Sequence, residues 1–201
     1  MEVQEKVPQK KNVIILLILS LITLGIYPCI WYFKKSSELN NLKTQAKLGK
    51  FLPIATLLLL ISLLTLNIST GIIIISNPDK YPTSVSSLSE IPSELLILGS
   101  IALVLGLLII IFGIVLSFKV RKILNQVLIN KDEKVKLSGF YTLIFNLFYL
   151  QYEINRIIDD KENDKRKAPL ICLIITGFTL AIATTIFLLL VPIEIILSRL
   201  R

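Results

Sequence analysis

The sequence contains no histidine, and in 201 residues it has only two cysteines, one methionine and one tryptophan. Without histidine the chain lacks the side chain that most often acts as a general base near neutral pH. The commonest zinc ligand is missing too, which excludes zinc sites of the His/Cys type. Cys29 and Cys172 both sit in apolar runs. A thiol there behaves as a small hydrophobe, and a disulfide framework is not supported. There is no glycine-rich phosphate loop, no nucleophile elbow and no pair of carboxylates in a plausible pocket. Asp159, Asp160, Glu162 and Asp164 are interleaved with Lys161, Lys165 and Arg166. That pattern is a solvated charge run rather than a metal site. The expectation is a non-enzyme with no cofactor, no metal and no catalytic residues.

Charge is also scarce. Only 18% of residues are charged and 54% are hydrophobic, with a mean hydropathy of +0.75. A globule of this size needs a polar shell, and a few charged loops cannot supply one. Lipid accepts an apolar exterior instead. The formal net charge of +8 would suggest nucleic acid in a soluble protein. Here the basic residues flank long apolar runs, so anionic headgroups explain them and no nucleic-acid partner is expected.

Four uncharged stretches are long enough to cross a bilayer: 13–33, 52–76, 95–118 and 169–193. The first follows Lys10 and Lys11 but lacks a small-residue cleavage site, so it reads as a retained helix rather than a signal peptide. The expected fold is an all-α integral membrane bundle in a single domain over 1–201. It has about four transmembrane helices, with interfacial segments at 34–51 and 119–168. Lys and Arg counts orient it: with four spans, sixteen fall on one side and six on the other. The positive-inside rule then places 34–51 and 119–168 in the cytoplasm and both termini outside. A second topology stays open, in which 13–33 is a re-entrant hairpin broken at Gly25 and Pro28 and the N-tail remains inside.

The 77–94 connector is rich in Pro and Ser, and Ser93 can cap the third helix with Glu94 in its first turn. Beyond residue 118, Val120, Ile123, Leu124, Val127 and Leu128 recur at helical spacing. This predicts an amphipathic helix continuing the third span along the membrane surface. The 140–158 segment holds six aromatics within 13 residues, but also Asn146, Gln151, Glu153, Asn155 and Arg156. Each central charge costs about 2.5–3.5 kcal/mol to insert. An interfacial or shallow re-entrant helix and a fifth span are both readings of it, and the first accounts for more.

The most specific motif is Thr23-Leu24-Gly25-Ile26-Tyr27-Pro28-Cys29-Ile30-Trp31. Gly25 allows a turn or close packing and Pro28 interrupts the hydrogen-bond ladder. Tyr27 and Trp31 are four residues apart, so one helical face would carry both rings to the membrane interface. Thr-Leu-Gly-Ile-Tyr followed by Trp31, then a basic-polar segment ending in Glu38-Leu39-Asn40, resembles the prokaryotic membrane proteins of the domain of unknown function 4234 family. Tyr149-Leu150-Gln151-Tyr152-Glu153-Ile154-Asn155 resembles a second recurring element there. The sequence departs from the family pattern at Pro28-Cys29-Ile30. The resemblance implies a multi-pass membrane protein of the prokaryotic plasma membrane and carries no activity. It marks Gly25, Tyr27, Trp31, Asn40, Tyr149, Gln151 and Asn155 as motif or interface residues. Gly25 through Asn40 and Gly139 through Asn155 also read as a short internal repeat, though chance explains the match equally well.

Gly99, Gly106 and Gly113 recur every seven residues in the third span and predict close helix packing. Asn67, Ser69 and Thr70 interrupt the second span, and Thr176, Thr179, Thr184 and Thr185 dot the fourth. Two functions follow. In the first, a non-catalytic membrane protein presents a basic, aromatic cytoplasmic surface to anionic headgroups, a protein partner or a second copy. In the second, a small transporter or channel subunit has a polar path along spans two and four.

Overall fold

A computed structural model describes residues 8–77, 80–81, 92–130 and 136–159. Among these the chain is all α, with five helices and no strand: α1 (Val13–Ile22), α2 (Ile26–Asn40), α3 (Phe51–Ser76), α4 (Ser93–Asn130) and α5 (Gly139–Ile158). The expected 169–193 span, with Cys172 and the fourth-span threonines, lies outside the described residues.

The 13–33 stretch is not one helix. α1 stops at Ile22, and Leu24 and Gly25 take positive φ values of 49° and 90°. Leu24 N–H donates to the Leu21 carbonyl and Gly25 N–H to the Ser20 carbonyl. These are the two bonds of a Schellman stop, which satisfies carbonyls that the last helical turn leaves open. Thr23 then joins the two helices. Its hydroxyl donates to the Leu19 carbonyl at 2.7 Å and accepts from Tyr27 N–H at 2.9 Å. Pro28 falls in the first turn of α2, where its missing N–H does no harm. The Thr-Leu-Gly-Ile-Tyr run is thus the complete chemistry of one tight turn.

The start of α1 returns to the end of α2. Gln9 N–H donates to Glu38 Oε2 at 2.9 Å, and Lys35 Nζ donates to the Gln9 carbonyl at 2.7 Å. The two helices therefore form a hairpin, with residues 9–11 beside the polar end of α2. This corrects the single-span form of 13–33 in favour of the broken form. The reason is the pair of positive-φ residues, which no continuous helix accommodates.

α3 and α4 are each long and apolar enough to cross a membrane, and neither apolar window is buried inside the protein. They pack on each other and carry many exposed Ile and Leu side chains. α4 begins on the Pro92 carbonyl, which accepts from Leu95 and Leu96 N–H, so Ser93 sits inside the first turn rather than capping it. Glu94 lies in that turn as expected and accepts from Lys80 Nζ at 2.7 Å and from the Tyr81 hydroxyl at 2.9 Å.

α4 continues unbroken to Asn130, so at 1.5 Å per residue its 38 residues are about 57 Å long. The apolar stripe of its last third is covered by protein. Val120, Ile123, Leu124 and Leu128 are buried in the protein. Gln126 Oε1 accepts from Ala46 N–H at 2.9 Å, and Asn130 Nδ2 donates to the Lys43 carbonyl at 3.0 Å. The amphipathic stripe faces a protein core, because the chain after α2 folds back over it.

α5 is divided at Asn146, whose φ of 46° and ψ of −125° are non-helical. Before the break, Phe140, Leu143 and Ile144 are exposed. After it, Leu147, Tyr149, Leu150, Gln151, Glu153 and Ile154 are buried.

Candidate functional site

The two motif elements meet, although they are far apart in sequence. Trp31, Lys35 and Leu39 fall at four-residue spacing on one face of α2 and are all fully buried. Trp31 Nε1–H donates to Gln151 Oε1 at 2.8 Å. Gln151 Nε2 donates to Asn155 Oδ1 at 2.7 Å, one turn along α5. The Asn155 amide brackets Lys11: Nδ2 donates to the Lys11 carbonyl at 2.6 Å and Oδ1 accepts from Lys11 N–H at 3.1 Å. Residues 9–11 thus form a strap between two helices. Lys35 and Glu38 hold Gln9 on the α2 side, and Gln151 and Asn155 hold the α5 side. Outside it, Lys10 pairs with Asp159 at 2.8 Å.

The Trp31 ring was expected at the membrane interface, and this is corrected. Trp31 has no exposed surface, because an indole N–H inside a protein needs a partner and Gln151 supplies one. Tyr27 stays half-exposed on the turn. Tyr149 is buried, and its hydroxyl accepts from Ser138 N–H at 3.0 Å, which fixes the entry to α5.

Asn40 lies apart from this cluster but does the same work as Asn155. Its Nδ2 donates to the Leu48 carbonyl at 2.9 Å and its Oδ1 accepts from Leu48 N–H at 2.7 Å. Leu48 precedes α3 by three residues and Lys11 precedes α1 by two. Each motif element therefore ends in an asparagine that fixes the chain just before an apolar helix.

Of the three stripe glycines, only Gly113 approaches another element. A Cβ there would lie 3.6 Å from Asn146 Nδ2, whereas at Gly99 and Gly106 it would meet nothing within 4 Å. Among the described residues, the stripe packs α4 at Gly113 alone. Asn146 Oδ1 accepts from the Tyr32 hydroxyl and from Ser117 Oγ, the latter at 2.5 Å. Tyr32 Oη and Ser117 Oγ are 2.8 Å apart, so α2, α4 and α5 share one polar knot. Sequence reading missed it; the only signal was an asparagine and a serine inside apolar runs. The α3 polar groups bond their own helix: Asn67 to the Leu63 carbonyl, Ser69 to Thr65 and Thr70 to Leu66.

Burial pushes the Lys35 ammonium below its ordinary value; Glu38 at 2.5 Å opposes that shift, and Lys11 adds to it. At the far end of α3, hydrogen bonding to Glu94 raises Lys80, and Lys80 lowers Glu94 in turn. Glu153 and Arg156 form a buried pair at 2.8 Å. Every described carboxylate is thus bonded to a named cation. Among the described residues, no group of three or more His, Cys, Asp or Glu could hold a metal.

The exposed aromatics are not those of the motif. Phe33, Phe51, Phe118 and Phe140 are exposed at the ends of apolar runs. Lys50 lies over the Phe33 ring at 5.7 Å and Arg121 over the Phe118 ring at 5.6 Å. Cation and ring lie where each apolar run stops, an arrangement suited to a headgroup layer.

No curated protein and no solved structure matches the chain. The sequence model of the family described as "Domain of unknown function (DUF4234)" matches residues 11–126, more than half of the chain. That range contains the whole Thr23–Tyr27 turn, Trp31 and both partners of the Asn40 bracket, and the chain therefore belongs to the DUF4234 family.

Proposed function

We propose that the chain is a non-catalytic, multi-pass protein of the prokaryotic plasma membrane that presents a basic, aromatic cytoplasmic face to anionic lipid headgroups. α3 and α4 cross the bilayer, the apolar 169–193 stretch adds a crossing, and the α1–α2 hairpin enters and returns on the cytoplasmic side. The N-tail then stays inside with the strap that holds it. This puts nineteen Lys and Arg residues on the cytoplasmic side and three outside, a steeper bias than four full spans give.

The observation that carries the reading is the pairing of Lys50 with Phe33 and Arg121 with Phe118 where the apolar runs of α3 and α4 end. Each cation near an anionic leaflet contributes about 1 kcal/mol. Unfolding temperatures of the protein in phosphatidylglycerol-containing and in pure phosphatidylcholine nanodiscs test it. The expected result is a higher temperature with phosphatidylglycerol, a difference that added salt removes. Equal temperatures in both lipids would sink the reading.

A further inference from the structure

Arg121 is held in place, and among the described residues no carboxylate pairs with its charge. Its Nε–H donates to the Leu137 carbonyl at 2.9 Å. A Cβ on Gly139 would lie 3.5 Å from Cζ and from both Nη atoms, so the guanidinium lies flat against the backbone there. Arg121 Cζ also lies 5.6 Å from the centre of the Phe118 ring. The described carboxylates Glu38, Glu94, Glu153 and Asp159 are bonded to Lys35, Lys80, Arg156 and Lys10. Neither Nη of Arg121 has a hydrogen-bond partner among the described residues. Two exposed lysines add charge: Lys122 follows Arg121 in the chain, and Lys136 precedes Leu137, whose carbonyl Arg121 binds.

Depth and flanks define what could use this fork. Phe118 is the last residue of the uncharged 95–118 run, and Arg121 lies three residues on, about 4.5 Å further along the helix. That is headgroup level if α4 crosses the bilayer. Phe118, three residues before Arg121, and Phe140, next to Gly139, are exposed and offer apolar surface for acyl chains.

We propose that Arg121 binds the phosphate of one anionic phospholipid through its two Nη groups, with Lys122 and Lys136 favouring an anionic headgroup and Phe118 and Phe140 flanking the chains. This rests on the membrane reading above. A fixed planar fork suits a phosphate's paired oxygens, and little side-chain freedom is lost on binding.

Native mass spectrometry of the full chain, delipidated in detergent and titrated with phosphatidylglycerol or phosphatidylcholine, tests the site. Wild type should hold one phosphatidylglycerol in preference to phosphatidylcholine. Arg121→Gln should weaken phosphatidylglycerol about tenfold, and Lys34→Gln, on α2, should leave it nearly unchanged. Arg121→Lys keeps the charge without the fork and should fall between, which guards against a glutamine variant that misfolds. If wild type prefers phosphatidylglycerol and both Arg121 variants match it, the site is overturned while the general surface stands. If wild type shows no preference, the wider reading fails as well. Displacement by millimolar inorganic phosphate would show a free-anion site and overturn the lipid assignment.

Discussion

At the scale of single residues, the buried polar groups around the strap are spent on the protein's own backbone. The Trp31–Gln151 bond is one of the few side-chain links between the two halves of the motif. Trp31→Phe keeps an aromatic ring but leaves the Gln151 oxygen buried without its donor. The expected loss is about 1–3 kcal/mol, read as a lower unfolding temperature in detergent. Adding Gln151→Met should recover part of it, since removing both partners costs less than removing one. An unchanged unfolding temperature for Trp31→Phe would show that the bond contributes nothing. Lys35 provides a pH test. Its folded value lies below the unfolded lysine value of 10.5. The unfolded chain therefore binds more protons in the interval between them, and stability rises with pH across that interval. In Lys35→Met this rise should be absent, which unfolding curves from neutral pH to about pH 10 compare directly.

At the scale of elements, the α1–α2 turn makes the sharpest claim. Leu24 occupies the left-handed position where a Schellman stop usually has glycine. Leu24→Gly should stabilise the protein by about 0.5–1 kcal/mol. Gly25→Val should destabilise it by about 1–3 kcal/mol, because φ is +90°, a conformation that a β-branched residue rarely adopts. Matching unfolding midpoints for the two variants would contradict this turn geometry.

Much of this scale was legible in the sequence. The 52–76 run became α3 to within a residue, and Gly25 with Pro28 offered a broken hairpin as the second topology beside a retained span. Hydropathy alone could not choose between a span and a hairpin, since both are uncharged over the same 21 residues. The choice was made by Glu38 and Lys35 reaching back to Gln9, a contact that no local pattern announces. The same limit applies to the last third of α4. A helical stripe shows that an apolar face is covered, but not whether lipid or protein covers it. The burial of Trp31 was not legible, because it acquires its partner from a glutamine 120 residues away.

At the scale of the whole molecule, the account joins apolar helices that lipid can cover to a polar layer that fastens the chain just before them. The asparagine brackets on Lys11 and Leu48, the strap and the cation–ring pairs all belong to that layer. Sidedness is its central claim, and thiol labelling in intact cells tests it most directly. With Cys29 and Cys172 replaced by alanine, single cysteines would be placed by Gln4→Cys, Ser37→Cys, Lys80→Cys and Asn130→Cys and exposed to a membrane-impermeant maleimide. The account predicts labelling at position 80 alone, with positions 4, 37 and 130 reacting only after the membrane is opened. Labelling at position 37 from outside, or equal labelling at all four, would contradict it.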